Sequence, residues 1–267
     1  MANIKYADPA IYTDTPITDD DKAMFRTPAG TDVRGSIVQP KGYIDGLKLE
    51  WVSGTQIRIT PGAAYVPGAK RIAELAAAVT LTPSLSANTW NHVYLKIDTG
   101  TVGVEAGSGA PFAPAAPYSG QARTKTGDTT RRYIGSFRTN ASSQIIRFEH
   151  SPAAGAIKYL TDINGSGMQV LSNGNQTTST TVSVAAVVPV TAFVMDGFAE
   201  NTGTAVVYIN NPDMGAAGPS SILQFLRASG LLFGEISINS NQQFNYVLNA
   251  ASTNGLTVWC VGYKFMR

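Results

Sequence analysis

Hydrophobic and polar residues alternate along several stretches of the chain with the two-residue period of a β-strand. The clearest case is residues 90–97, where Val93, Leu95 and Ile97 share one side of the predicted strand. The other side is an aromatic stripe with a polar edge, formed by Trp90, His92, Tyr94 and Lys96. Such a stripe stacks on sugar rings or packs on a neighbouring subunit, and we favour packing.

The region before this strand is also predicted to be rich in β-structure. Residues 47–51 and 57–60 alternate in the same way, and Pro-Gly pairs flank a short strand at residues 63–66. Residues 71–82 are ambiguous, because their alanines favour a helix while the Val-Thr-Leu-Thr run favours a strand. Residues 42–150 as a whole predict a small β domain.

The C-terminal part, residues 168–267, predicts an antiparallel β-sandwich of the jelly-roll type, because short strands alternate with turn signals. The candidate strands are residues 169–171, 177–188, 191–199, 204–210, 221–226, 231–239, 244–248 and 256–265. The last of these is apolar on both faces, with Trp259, Val261, Tyr263 and Phe265 on one. We therefore expect it to be buried between the sandwich core and a partner subunit. Cys260 is predicted to be a small core residue.

The N-terminal residues 1–41 predict an extended attachment arm with one short helix. Thr18 is placed to cap that helix, and the run Asp19-Asp20-Asp21 suits its positive end, so the helix would stop before Pro28. The segment has too few apolar residues for a core of its own. Residues 151–167 begin with a Pro-Ala-Ala-Gly run at 152–155, end with Asn-Gly-Ser-Gly at 164–167, and predict a linker.

Composition narrows the function classes. Charged residues are 14% of the chain, against about 25% in an average soluble protein, and the net charge of +2 does not predict a nucleic-acid partner. A single cysteine excludes an intrachain disulfide. Residues 2–21 lack the apolar core of a signal peptide, and the longest apolar run, residues 182–195, is too short for a membrane helix. We therefore expect no membrane insertion.

Five basic residues follow a Pro/Ala-rich loop: Arg123, Lys125, Arg131, Arg132 and Arg138. They could bind phosphate, but we favour a solvated strand face or pairing with acids of an adjacent chain. No Walker or dinucleotide-binding motif is present. His92 and His150 are far apart in sequence and lie in no metal-binding pattern, so we expect no metal and no cofactor.

Catalytic patterns are also weak, and we expect that the chain is not an enzyme. Asp196 and Glu200 are the nearest approach to a glycosidase carboxylate pair. A serine hydrolase would need His92 or His150, and no Gly-x-Ser-x-Gly elbow occurs. No catalytic residue is assigned.

Two segments resemble a known family. The strand ANTWNHVYL at residues 87–95 precedes the segment KTGDTTRRYIGS at residues 125–136. This order resembles tail-fibre and tail-tip (receptor-binding) proteins of bacteriophages, over residues 46–148. The resemblance implies a structural virion protein of the phage tail, which in such families is usually a homotrimer, and it favours strand over helix for residues 71–82.

We therefore expect residues 1–41 to attach to tail or baseplate proteins and residues 42–150 to form a trimeric collar. Residues 168–267 would be the head that adsorbs to the host through a surface glycan, a pilus or an outer-membrane protein. The candidate receptor contacts are turn residues and two tyrosines: Tyr208, Asn210, Asn211, Asp213, Asn241, Gln242, Tyr246 and Asn254. Two alternatives stay open, a baseplate or tail linker without receptor contact and a tail-associated glycan hydrolase.

Overall fold

The computed structural model describes residues 22–26, 32–36, 40–112, 122–162 and 167–267. Within these ranges the chain is mainly β, as the alternation predicted, and each strand pairing is antiparallel. The helical content of the described residues is limited to two single 3-10 turns, Pro67–Ala69 and Pro212–Met214.

The short N-terminal helix was a wrong prediction where the structure describes it. Strands β1 (Lys22–Arg26) and β2 (Asp32–Ser36) form an antiparallel hairpin, with Lys22 opposite Ser36. The capping run, residues 18–21, lies outside the described residues. A helix of two turns is marginal in water, whereas pairing with β2 satisfies backbone groups along the whole segment.

Two small sheets open the next part of the chain. One has the order β3-β6-β7, from Ile44–Gly46, Gly62–Val66 and Arg71–Leu75. The other has the order β4-β5-β8, from Leu49–Ser53, Gln56–Ile59 and Val79–Leu81. The strands predicted near residues 47–51, 57–60 and 63–66 are confirmed, and residues 71–82 contain two strands and no helix.

A five-stranded sheet follows, in the order β10-β9-β13-β12-β11. Its strands are β9 (Trp90–Asp98), β10 (Thr101–Gly107), β11 (Pro111–Phe112), β12 (Thr124–Lys125) and β13 (Asp128–Arg138). The predicted aromatic stripe on β9 is covered by the same chain. The Trp90 ring meets Tyr263 edge-on at 5.8 Å, and its Nε1 donates to the Ala185 carbonyl at 3.1 Å. The expectation that the stripe packs on a neighbouring subunit was therefore wrong in its partner, because Trp90 packs on the C-terminal part of its own chain.

Two sheets make up the C-terminal part and share one hydrophobic core with the middle sheets. The larger has the order β14-β15-β23-β18-β21, with β16 also paired to β23; its strands are Phe148–Ser151, Ala156–Tyr159, Leu256–Phe265, Ala192–Asn201, Leu231–Ser237 and Gln169–Gly174. The smaller has the order β17-β22-β19-β20, from Thr180–Ser183, Gln243–Leu248, Val207–Asn210 and Gln224–Leu226. Residues 156–159, inside the predicted linker, therefore form a strand of the larger sheet.

A β-bulge in β23 changes which of its residues are buried. Gly197 lies opposite Cys260 and Asp196 opposite Gly262, so Val261 is an extra residue on β23. Burial accordingly falls on alternate residues up to Cys260, and then on Tyr263 and Phe265. The expectation that Tyr263 and Phe265 share one face of the strand with Trp259 was wrong, because one inserted residue reverses the alternation.

Buried polar side chains join the five-stranded sheet to the C-terminal part. The Tyr133 hydroxyl lies 2.8 Å from both the Ser136 and the Thr191 hydroxyls. His92 Nδ1 lies 2.7 Å from the Ser136 hydroxyl, and the Tyr263 hydroxyl donates to the Ser136 carbonyl at 2.9 Å. We call these five residues the Ser136 network. Each is at most 4% exposed, so a lost partner cannot be replaced by water without rearrangement.

We expect Tyr133→Phe to lower the free energy of unfolding by about 1–3 kcal/mol, because it leaves the buried Thr191 hydroxyl without this partner. Equilibrium unfolding in urea measures the change. The matched control is Tyr43→Phe, on a side chain that is 38% exposed, which should alter stability by less than about 0.5 kcal/mol. Equal effects of the two substitutions would contradict a structural role for the network.

Two buried histidines are held in the neutral form. Burial lowers the pKa of His92 to about 4 and, together with the charges of Arg267 and Lys48, lowers that of His150 to about 3. His150 Nδ1 accepts a hydrogen bond from the Leu49 backbone N–H at 2.9 Å, so a proton on this nitrogen would displace that donor. Both imidazoles are therefore harder to protonate in the folded chain than in the unfolded chain.

Stability should consequently depend on pH. The unfolded chain binds protons near pH 6.5 and the folded chain only near pH 3–4, so the histidine contribution is full above pH 6.5 and is lost as the pH falls towards 3. Each histidine contributes a slope of up to about 1.4 kcal/mol per pH unit. His150→Asn keeps an acceptor near the Nδ1 position and does not titrate. It should flatten the slope between pH 4 and 6 in urea unfolding, and an unchanged slope would contradict this assignment.

Candidate functional site

Three aromatic side chains line up on the outward face of the larger C-terminal sheet. Phe198 on β18 lies opposite Phe233 on β21 and opposite Trp259 on β23. The Phe198 and Trp259 ring centroids are 5.5 Å apart, with 31° between the ring planes. Phe233 is 74% exposed, and its neighbour Leu231 is 68% exposed. We call Phe198, Phe233 and Trp259 the aromatic platform.

Local alternation explains why these rings face outward. On β21, Phe233 and Glu235 share the outward side, while Ile236 is buried against Gly197 of β18. A Cβ atom on Gly197 would lie 2.7 Å from Ile236 Cδ1, so a larger residue there would have to displace the end of the Ile236 side chain. The sequence analysis identified the strands but did not select Phe198, Phe233 or Trp259 as site residues. The alternation along each strand could be predicted from the sequence. Which face of a strand is left open to solvent, however, depends on the order of the strands in the sheet.

A groove beside the platform combines charge with an aromatic wall. It has a volume of about 630 Å³, and Phe233 lines it together with three acids and two lysines: Glu149, Asp196, Glu235, Lys158 and Lys264. We call it the charged groove. The Lys264 ammonium group donates to the Glu235 carboxylate. Its size lies within the range typical of small-ligand sites.

Asp196 and Glu235 are directly opposite each other on neighbouring strands. Two like charges in this arrangement repel, and Lys264 offsets part of that repulsion. Burial, followed by the nearby Glu235 charge, raises the pKa of Asp196. Asp196 is therefore a weaker acid than an exposed aspartate.

Two of the predicted receptor contacts are interior residues. Asn210 is 1% exposed, and its Nδ2 donates to the Ser221 carbonyl at 3.0 Å and to the Gly215 carbonyl at 3.3 Å. Tyr246 is 2% exposed, and burial raises the pKa of its hydroxyl. Neither side chain is accessible to a receptor in this structure.

Other predicted contacts are engaged in local structure. Asn211 Oδ1 accepts from the Asp213 N–H at 2.9 Å and caps the second 3-10 turn, while its Nδ2 donates to Ser237. Gln242 Nε2 donates to the Val188 carbonyl. Asp213 and Asn241 are exposed. The side-chain amides of Asn211 and Gln242 are therefore already hydrogen-bonded within the chain, and they stabilise the loops.

The predicted contacts do not gather on one surface. The Asn210 end of β19 pairs with Asn245 near the start of β22, whereas Asn254 lies beyond the other end of β22. Because β22 has six residues, the two ends are about 20 Å apart. Tyr208 is half-buried between its neighbours on β20 and β22. The structure therefore offers the aromatic platform and charged groove as a more compact candidate site.

The basic run was predicted to be solvated or to pair with another chain, and both parts of that prediction need correction. Lys125 contacts Glu105 at 2.9 Å, and Arg131 contacts Asp98 at 2.6 Å, all within this chain. Arg132 and Arg138 are buried, at 0% and 6% exposure. Strand pairing with β9 and β12 covers this part of β13.

The predicted carboxylate pair is separated by the fold. Asp196 and Glu200 lie four residues apart on β18, so the strand rise places them about 13 Å apart. A glycosidase pair lies within about 5–9.5 Å. The acid that faces Asp196 is Glu235.

Other chemistry finds little support in the described part of the chain. No group of three or more His, Cys, Asp or Glu side chains there is placed to hold a metal ion. Cys260 is buried, and burial raises the pKa of its thiol to about 12, which leaves it protonated. The described residues contain no helix that is long and apolar enough to cross a membrane.

Comparison of the chain with protein-family models, curated proteins and solved structures found no significant match.

Proposed function

We propose that the chain is a structural protein of a phage tail that binds a bacterial surface glycan through the aromatic platform and the charged groove. The observation that carries the proposal is the outward-facing row of Phe198, Phe233 and Trp259 next to that groove, in which Phe233 is 74% exposed and the other two rings are half-buried. The sequence resemblance of residues 46–148 supports the tail assignment. The N-terminal arm would attach to the tail or baseplate, as the sequence analysis expects.

The chemistry of the surface favours a saccharide. Sugar rings present C–H groups on their faces, which pack on aromatic rings, and hydroxyl groups at their edges. Asp196 and Glu235 can accept hydrogen bonds from hydroxyls, and Lys158 can donate them. A flat hydrophobic row flanked by such groups provides both kinds of contact. Three weak sites on one trimer would bind a repeating glycan together through effective concentration.

Alanine substitution of the platform should weaken glycan binding. We expect Phe233→Ala or Trp259→Ala to reduce binding to an array of bacterial surface polysaccharides by roughly tenfold or more, since each removes a stacking ring. Phe225→Ala is the matched control, because Phe225 is 52% exposed but lies on the other C-terminal sheet. Unchanged binding in the platform variants would contradict the platform as the glycan site, and no binding by the wild-type chain would favour the linker alternative.

The proposed trimer is tested separately. Light scattering of the purified chain should give about three times its mass of 28.2 kDa. A monomer at micromolar concentration would contradict the multivalent mechanism. Binding at a single site would then still be tested by the array measurement.

A tail-associated glycan hydrolase is the second candidate, favoured by one observation. Asp196 and Glu235 oppose each other across neighbouring strands, and the pKa of Asp196 is raised, as a general acid requires. If the chain hydrolyses the glycan it binds, it should release reducing sugar, and Asp196→Asn should abolish release while retaining binding. Binding without any release of reducing sugar would exclude this candidate.

A further inference from the structure

One row of residues crosses the whole outward face of the larger C-terminal sheet. Glu149 on β14 lies opposite Lys158 on β15, and Lys158 lies opposite Gly262 on β23. Gly262 lies opposite Asp196 on β18, which in turn lies opposite Glu235 on β21. The four charged members of this row all line the charged groove, so they share one face of the sheet. Four strand spacings give the row a length of about 19 Å.

A glycine keeps the middle of this row flat. Gly262 has no side chain, and a Cβ atom placed on it would overlap the carbonyl oxygen of Ile157 on β15. Because that neighbour is backbone, a larger residue could fit only if the strands moved apart. The floor between Lys158 and Asp196 is therefore open, and a chain-like ligand can lie across it.

A second hollow adjoins the charged groove at the β14 end of the row. It has a volume of about 300 Å³, and Glu149 and Leu160 line both spaces. Trp51 and Arg147 line the second hollow but not the charged groove, so they lie beyond Glu149 on the same surface. We call the second hollow and the charged groove together the long cleft. The long cleft extends from Trp51 to Phe233 of the aromatic platform.

An arginine and a tryptophan form a preorganised pair in the second hollow. Arg147 Cζ lies 5.4 Å from the centroid of the Trp51 ring, and Trp51 Nε1 donates to the Ile145 carbonyl at 3.1 Å. The contact with the ring restrains the guanidinium, but it uses none of its N–H groups. Within the described part of the chain, the exposed Arg147 side chain makes no hydrogen bond and no ion pair. Its N–H groups are therefore available to a ligand.

The other cations that line the long cleft each lie beside an acid. The pairs are Lys48 and Arg58 with Glu50, Lys264 with Glu235, and Lys158 opposite Glu149. The residue opposite Arg147 is instead Leu160, whose backbone N–H donates to the Arg147 carbonyl at 2.8 Å. A carboxylate is a good partner for a free guanidinium, because it accepts two parallel hydrogen bonds from one guanidinium edge.

We propose that the long cleft binds a stretch of several sugars from a linear acidic polysaccharide, with one sugar carboxylate on Arg147 and the following sugars lying across the row to the aromatic platform. The inference rests on the proposed function, and it adds the length and the charge class of the glycan. Glu149 and Asp196 accept hydrogen bonds from sugar hydroxyls along the row. A single terminal sugar would need only the platform and would not reach Trp51 and Arg147.

Binding of the full chain to one polysaccharide in two chemical forms tests the charge class. The polysaccharide that the wild-type chain binds on the array is used as isolated and after chemical reduction of its carboxyl groups to alcohols. Arg147→Met keeps an apolar side chain against Trp51 and should weaken binding of the native form by roughly tenfold. Reduction should weaken wild-type binding to a similar extent and should not weaken binding by Arg147→Met any further, because each change removes the same ion pair.

A matched control and a length series complete the experiment. Arg227→Met removes an exposed arginine beside β20, outside both hollows, and should leave binding of the native form unchanged. Fragments of the same polysaccharide, titrated by calorimetry, should bind more tightly as they lengthen until they span the cleft. A disaccharide that binds as tightly as the longest fragment would overturn the extended site.

The outcomes separate this inference from the proposed function. If Phe233→Ala weakens binding while Arg147→Met does not, the aromatic platform remains the glycan site and the long cleft is overturned. Equal wild-type binding of the native and reduced forms, or binding of uncharged polysaccharides only, would overturn the acidic class. If the wild-type chain binds no bacterial polysaccharide, both the proposed function and this inference are overturned.

Discussion

Ser136 connects the two halves of this fold. Its hydroxyl contacts Tyr133 and His92, and its carbonyl accepts from Tyr263. Strands β9, β13 and β23 therefore meet at a single buried serine. Because these groups are shielded from water, their hydrogen bonds fix the relative position of the strands more strictly than apolar contacts would. The placement of the larger C-terminal sheet depends on this network.

Strand β23 connects the Ser136 network to the aromatic platform. Trp259 belongs to the aromatic platform, and Tyr263 belongs to the Ser136 network. Arg267, two residues beyond the strand, donates from Nη1 to the Gly46 carbonyl at 3.0 Å. The bulge at Val261 shifts the alternation, so that Trp259 lies on the outward side and Tyr263 on the buried side. The same strand therefore contributes Trp259 to the aromatic platform and is fixed in the core by the hydrogen bond of Tyr263. Rigid strands are better suited than loops to keep an aromatic row aligned.

The receptor contacts proposed from turn placement show the limit of local reasoning. Asn is common in turns because its side chain bonds to nearby backbone, and Asn211 does so here. Asn210 and Gln242 are occupied instead by carbonyls more distant in the sequence. A turn signal identifies where the chain reverses without saying which side chains remain free. The aromatic platform was missed because hydrophobic residues on a strand were assigned to cores or subunit contacts, and not to a ligand-binding surface.

By itself the sequence determined the β class, the position of β9 and the bounds of β23, because alternation and turn residues are local signals. It also indicated that Cys260 would be buried. Only the tertiary structure decided that β9 packs on its own chain and that Arg132 is interior. It likewise decided that Phe233, Phe198 and Trp259 align across three strands. A two-residue period separates the faces of a strand, but the partner of each face is set by contacts between residues far apart in sequence, and one bulge reverses the faces.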